Sequence, residues 1–190
     1  MKSWTESIEE TIEVGKKLMN IDNKITQAVN LISNCFNQDC KVLLCGNGGS
    51  AAEAQHIAAE YVSSLKHDFK RKSLPALALT TDTSFITASS NDYGYDHIFE
   101  RQLESFGQKG DVLIAISTSG NSKNVVLAVE YAKNHGLSVI GLTGASGGKM
   151  DNLCDVIFKV PSKNTMRIQE WHLFIEHSIV EGVEQILFNF

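Results

Sequence analysis

Residues 43–62, LLCGNGGSAAEAQHIAAEYV, pass from an apolar run through a glycine-rich turn into residues with helical spacing. Val42 to Cys45 reads as a strand, Gly46, Asn47, Gly48, Gly49 and Ser50 as a sharp turn, and a helix is expected from near Ala51. Such a turn brings backbone N–H groups to the carboxyl edge of a parallel sheet, where ligands bind. The arrangement recurs where Val112 to Ile116 runs into Ser117, Thr118, Ser119, Gly120, Asn121 and Ser122, ahead of a helix from about Lys123. Hydroxyls beside free helix N-terminal amides suit a phosphate dianion. Neither loop has the G-x-G-x-x-G spacing and no G-K-[ST] occurs, so a phosphorylated small molecule fits better than a nucleotide. One such turn alone is as readily a plain strand-to-helix connection; two at successive strand ends favour a ligand site.

Further short apolar runs lie at Ala76 to Leu79, Val139 to Leu142 and Val156 to Val160, each separated by enough chain for a helix. This alternation predicts an α/β fold with a central parallel sheet flanked by helices. Trp4 to Phe36 has the apolar spacing of one or two amphipathic helices, and Thr165 to Phe190 is apolar on more than one helical face. The chain has 190 residues, 43% of them hydrophobic, which suits a single domain over 1–190. Its long N- and C-terminal helices carry more apolar surface than so small a domain buries, so part of it is expected to pack against other copies of the chain.

The net charge of −5 disfavours a nucleic-acid partner, and the short basic cluster Lys66 to Lys72 reads as a solvated loop edge. No apolar run approaches the roughly 20 residues of a membrane span, and Met1 to Glu10 is polar, so no membrane association and a cytoplasmic location are expected. Cys35, Cys40, Cys45 and Cys154 lack paired metal-binding spacing and read as reduced thiols. His56 and Glu60, four residues apart, share one helical face, a spacing that suits a metal but is also common in plain surface pairs. On the last helix Gln169 and His177 lie about 80° apart around the axis and can face one cavity. His172 and Glu176 there have i,i+4 spacing too, and spacing alone does not choose between the pairs.

Gly46 to Ser50, Ser117 to Ser122 and RIQEWH at Arg167 to His172 resemble the sugar isomerase (SIS) superfamily. GNGGSAAEAQHIAAE, ALTTDTSFITASSNDYGYDHIFERQ, ISTSGNSKNV, LTGASGGKM and RIQEWHLFIEH extend the resemblance, over nearly the whole chain, to its heptose-phosphate isomerase family. That resemblance implies a homotetramer of SIS-fold subunits, one zinc ion per subunit, and conversion of sedoheptulose 7-phosphate to D-glycero-D-manno-heptose 7-phosphate for nucleotide-activated heptose of the bacterial envelope. It places zinc on His56, Glu60, Gln169 and His177, and leaves His172 and Glu176 as packing or surface residues. It places substrate on Asn47, Gly48, Gly49, Ser50, Glu60, Asn91, Asp92, Ser117, Thr118, Ser119, Ser122 and Gln169. Glu60 and His177 are the implied acid–base pair, with Asp92 and Thr118 helping to hold the sugar. Moving a carbonyl between C2 and C1 through an enediol needs such a pair near both carbons, and the metal or its neighbours to steady the developing charge. A metal-bound carboxylate is a poorer base, so Glu60 is expected to loosen from the metal when substrate binds.

The resemblance departs at Ser63, Ser64 and Leu65, where many relatives carry a Gly-Arg pair; Lys66 is the expected substitute in holding phosphate. The runner-up reading is a non-catalytic SIS protein that binds the replication initiator, expected to lack part of the acid–base pair that this chain keeps. SIS-fold lyases of amino-sugar phosphates and sugar-sensing regulators are expected to need a longer chain. The site is expected to be completed at subunit contacts, with His177 or the segment around Asn91 and Asp92 supplied by a neighbour.

Overall fold

A computed structural model of the chain describes residues 3–66 and 68–189. The amphipathic N-terminal segment is two helices, α1 (Trp4–Leu18) and α2 (Asp22–Asn37). Ser3 opens α1 with a capping box: its hydroxyl accepts from the Glu6 N–H, and the Glu6 carboxylate accepts from the Ser3 N–H. There follow β1 (Val42–Gly46), α3 (Gly49–Val62), β2 (Ala76–Ala78), α4 (Thr83–Tyr93), a 3-10 turn (Tyr95–His97) and α5 (Ile98–Phe106). The chain continues through β3 (Val112–Ser117), α6 (Lys123–Asn134), β4 (Ser138–Gly144), a second 3-10 turn (Gly148–Met150), β5 (Val156–Val160) and α7 (Thr165–Phe188). Each expected strand is present. The α3 helix starts two residues before the expected Ala51 because Gly48, at φ +58°, completes the turn within one residue. The expected last residue of the final helix, Phe190, lies outside the described residues.

All strands are parallel in the order β2-β1-β3-β4-β5, with Val42 of β1 paired to Ala76 on one side and Val112 on the other. Alternate residues serve two cores. Leu44, Ile114, Ile140 and Phe158 pack against Ile32, Ile57, Ile175 and Ile179 of the helices α2, α3 and α7. Leu43, Leu113, Ala115 and Val139 pack against Phe99, Leu103, Val125 and Val129 of α5 and α6. Burial on both faces is why the strands read as unbroken apolar runs. The order reverses between β1 and β3, so the connections leaving these two strands diverge and open a crevice at their carboxyl ends.

The expected surplus of apolar surface is present: Trp4, Ile8 and Ile12 on α1, Met19 directly after it, and Met166, Phe174 and Ile186 on α7 are exposed. Ile12, Met19, Trp171 and Phe174 line a groove of about 760 Å³ between these helices. Among the described residues no helix is long and apolar enough to cross a membrane. All four cysteines are free thiols, and burial pushes Cys35 up to about 12, far from the reactive thiolate.

His172 of α7 lies wholly in the core, its Nε2 3.1 Å from the Thr143 carbonyl oxygen. Burial pulls its pKa from 6.5 down to about 4, against a smaller opposing effect of that hydrogen bond. The unfolded chain therefore takes up a proton that the folded chain refuses. Stability from this group is complete above pH 6.5 and is lost progressively as pH falls towards 4. Urea unfolding at a series of pH values between these limits is expected to show that slope, and His172→Gln to flatten it.

Candidate active site

The loops after β1 and β3 meet across the crevice. Asn47 and Asn124 exchange side-chain hydrogen bonds, each Nδ2 donating to the other's Oδ1 at 2.9 Å. The Tyr95 hydroxyl donates to the same Asn47 oxygen at 2.9 Å, tying the 3-10 turn to the glycine loop. Asn124 is buried, and its Oδ1 also accepts from the Val125 N–H. In the second loop Ser117 donates to Ser122 Oγ at 3.0 Å, and Ser119 Oγ accepts from the Asn121 N–H at 3.1 Å. Side chains of Ser3, Asp82 and Asn164 cap α1, α4 and α7, whereas α3 and α6 begin with no side-chain cap. Two adjoining helix N-termini without an N-cap side chain, beside a row of hydroxyls, are suited to an anion.

Two turns along α3 lies a second cluster. His56 Nε2 is 2.9 Å from His177 Nε2 of α7 and 3.6 Å from Glu60 Oε1, and one ligand atom from each residue falls within 4.8 Å of the others. Desolvation first, and then the nearby His56, hold His177 below its ordinary value against the pull of Glu60. A neutral imidazole keeps the lone pair that a metal needs, and two ring nitrogens with a carboxylate oxygen are a donor set that fits a divalent cation.

The two helices run side by side in the same direction, so partners meet in order: Gly49 faces Gln169, and His56 faces His177. A Cβ on Gly49 would collide with Gln169 Nε2, so the glycine makes room for this carboxamide. Three of the four expected metal ligands thus come together, while Gln169 stands at the head of α3. It lies about 80° from His177 around α7, and eight residues also mean about 12 Å of axial rise. His177 meets His56 and Glu60 within one chain, which corrects the expectation that a neighbour supplies it.

Asn91 and Asp92 sit exposed at the end of α4, Asn91 Nδ2 donating to Asp92 Oδ1 at 2.8 Å. His172 and Glu176 are interior residues, as the packing reading had them. Burial, and then the charge of Glu53, raise Glu176 well above the usual carboxylate range. Burial likewise pushes Glu53 up to about 7 against a hydrogen bond from Ser50. Lys66 pairs with Glu181 of α7 at 2.8 Å. Arg71 corrects the reading of its cluster as a solvated edge, because its side chain is fully buried. Asn124, Tyr95 and Arg71 escaped the sequence because each acts on a residue distant in the chain; only the place of Asn124 directly before the apolar run Val125 to Val129 of α6 could have marked one of them.

The crevice at the strand-order reversal and the metal-competent cluster beside it lie in an α/β fold of which residues 3–144 match the SIS domain family. The chain is 51% identical over 184 residues to the phosphoheptose isomerase of Aneurinibacillus thermoaerophilus, a match covering 96% of this chain and 90% of that protein. Among solved structures it is similar to phosphoheptose isomerase GmhA from Neisseria gonorrhoeae, with TM-score 0.89 and 42% identity over 95% of this chain and 96% of that one. It is also similar to a phosphoheptose isomerase from Francisella tularensis, with TM-score 0.90 and 37% identity over the same shares. The chain belongs to the phosphoheptose isomerase family.

The bridge between the loops is expected to matter for anion binding. Asn124→Ala removes the reciprocal partner of the half-buried Asn47 amide, at a cost of about 0.5–1.5 kcal/mol in stability, and weakens binding of a sugar phosphate roughly tenfold by calorimetry. Tyr95→Phe, which removes one of the bonds to Asn47, is expected to weaken binding less.

Proposed function

We propose that the chain is an aldose–ketose isomerase that converts sedoheptulose 7-phosphate to D-glycero-D-manno-heptose 7-phosphate, on the route to nucleotide-activated heptose for lipopolysaccharide core or another envelope polysaccharide. The observation that carries the mechanism is the placing of His56, Glu60 and His177 two turns along α3 from the anion cradle. Seven residues of helix amount to roughly 10 Å, comparable to the span from a terminal phosphate to the carbonyl end of an extended seven-carbon sugar. The phosphate is assigned to Ser117, Thr118, Ser119, Ser122 and the open N–H groups of α6. Asn47, Gly48, Gly49, Ser50 and Gln169 line the path of the sugar chain, and Asn91 and Asp92 hold its hydroxyls. Glu60 and His177 then face the C1–C2 end. One takes the proton from C1 while the other serves the oxygens, and return of a proton to C2 completes the shift through an enediol.

His56, Glu60 and His177 would hold zinc, with Gln169 as the fourth ligand if it turns from Gly49 towards them. Bound zinc supplies electrostatic stabilisation to oxygen as negative charge develops there. The low pKa of His177 supports its acting as a neutral imidazole.

We assign the active form to a homotetramer of single-domain subunits in the cytoplasm. The exposed apolar faces of α1 and α7 support assembly. Within its own chain α4 buries only Ser89, which supports a neighbouring subunit completing the segment around Asn91 and Asp92. Against a non-catalytic protein that binds the replication initiator stands the assembled cluster of Glu60 and His177 with His56.

Supplied with sedoheptulose 7-phosphate, the protein is expected to form the aldose. Absence of turnover together with specific binding of the replication initiator would reverse the assignment. Glu60→Gln and His177→Asn are each expected to lower kcat by about 10²–10⁴-fold. His56→Ala is expected to lose the metal, measured by elemental analysis of the purified protein, while keeping its circular dichroism.

A further inference from the structure

We infer that Arg71, held by Glu184, is a positioning residue for Glu60 and fixes the end of α3 against α7 in the geometry of the active site. The inference rests on the proposed role of Glu60. Arg71 lies in the segment between α3 and β2, yet its side chain and that of Glu184 are both 0% exposed, with Nε 2.6 Å from Glu184 Oε1. Its remaining donors are directed at backbone. Nη2 donates to the carbonyl of Glu60 itself at 2.7 Å, and Nη1 to the carbonyls of Tyr61 at 2.9 Å and Lys72 at 3.0 Å. Glu184 Oε1 also accepts from the Leu65 N–H at 3.1 Å.

This placement answers a specific weakness. Glu60 sits in the last turn of α3, which ends at Val62, and the carbonyls of a last turn have no intrahelical partners. A carboxylate asked to reach a metal and a sugar from a fraying turn would wander. The guanidinium satisfies the carbonyls of Glu60 and Tyr61 and sets a positive charge against the negative end of the helix dipole. Its anchor is equally specific: Glu184 follows His177 by seven residues on α7, so both lie on nearly the same face of that helix. The helices that carry the histidines and Glu60 are therefore bridged again at the end nearer Glu60. A buried ion pair is weak evidence for stability, because desolvation offsets its attraction. What it supplies here is location.

The test uses Arg71→Lys, Glu184→Gln and the apolar double variant Arg71→Met with Glu184→Leu, beside wild type and Lys70→Ala, an exposed lysine next to Arg71, as a control on the same segment. Each is first checked by circular dichroism. Turnover of sedoheptulose 7-phosphate gives kcat and KM, and competition with a chelator gives the affinity for cobalt(II) alone. Folded Arg71 variants are expected to lose about 10–100-fold in kcat and about tenfold in cobalt affinity. Their KM is expected to stay within about twofold of wild type, since the phosphate cradle lies at the other end of α3. Lys70→Ala should leave all three unchanged. A folded Arg71 variant with wild-type kcat and cobalt affinity overturns the assignment. Failure of all three clamp variants to fold would overturn it as well, by making the pair a requirement of folding. A wild-type protein that binds cobalt but does not turn over would refute the isomerase reading instead, and cobalt affinity would then decide the role of Arg71.

Discussion

The parallel pairing of β1 with β3, Val42 opposite Val112 through Gly46 opposite Ile116, is the constraint on which the rest depends. With β2 on the far side of β1, the chain leaves β1 in one direction and β3 in the other, and nothing in the sheet fills the space above their ends. The backbone groups there still need partners. The reciprocal amide pair of Asn47 and Asn124 joins the two loops, and the uncapped starts of α3 and α6 remain directed at the crevice. Neither loop alone makes this cradle, because the residue that steadies each belongs to the other.

A second consequence follows from the side-by-side course of α3 and α7. Helices running in the same direction meet residue by residue along their length, so the pair carries different chemistry at successive levels: a carboxamide on a glycine at the top, two imidazoles and a carboxylate two turns on, and a guanidinium clamp at the end. Burial between these helices also sets the protonation states. Glu176 and Glu53 are raised above the usual carboxylate range and His177 is lowered below its ordinary value, burial in each case disfavouring the charged form.

The strands were legible because burial on both faces demands unbroken apolar runs, and the glycine loop because Gly48 must reach positive φ between a strand and a helix. His56 and Glu60 were legible as an i,i+4 pair, since helical spacing is local. Choosing His177 over His172 needed the family resemblance; in the structure the reason is depth, one imidazole being sealed in the core and the other facing α3. Gln169 shows the limit of a projection around the helix axis, which keeps angle and discards rise. Arg71 shows the limit of composition: a basic cluster reads as solvated, and only the folded chain reveals that one of its members is enclosed between two helix ends.

The shallow seating of α4 has a kinetic meaning. A helix that buries little more than Ser89 in its own chain contributes few of the contacts that raise the free energy of local opening, so its amides are placed to exchange with solvent through small fluctuations rather than through global unfolding. Any surface that covers α4 lowers the population of those open forms by mass action. On the proposed assembly, in which a neighbouring subunit covers the segment around Asn91 and Asp92, the order of this end of the helix rises with protein concentration.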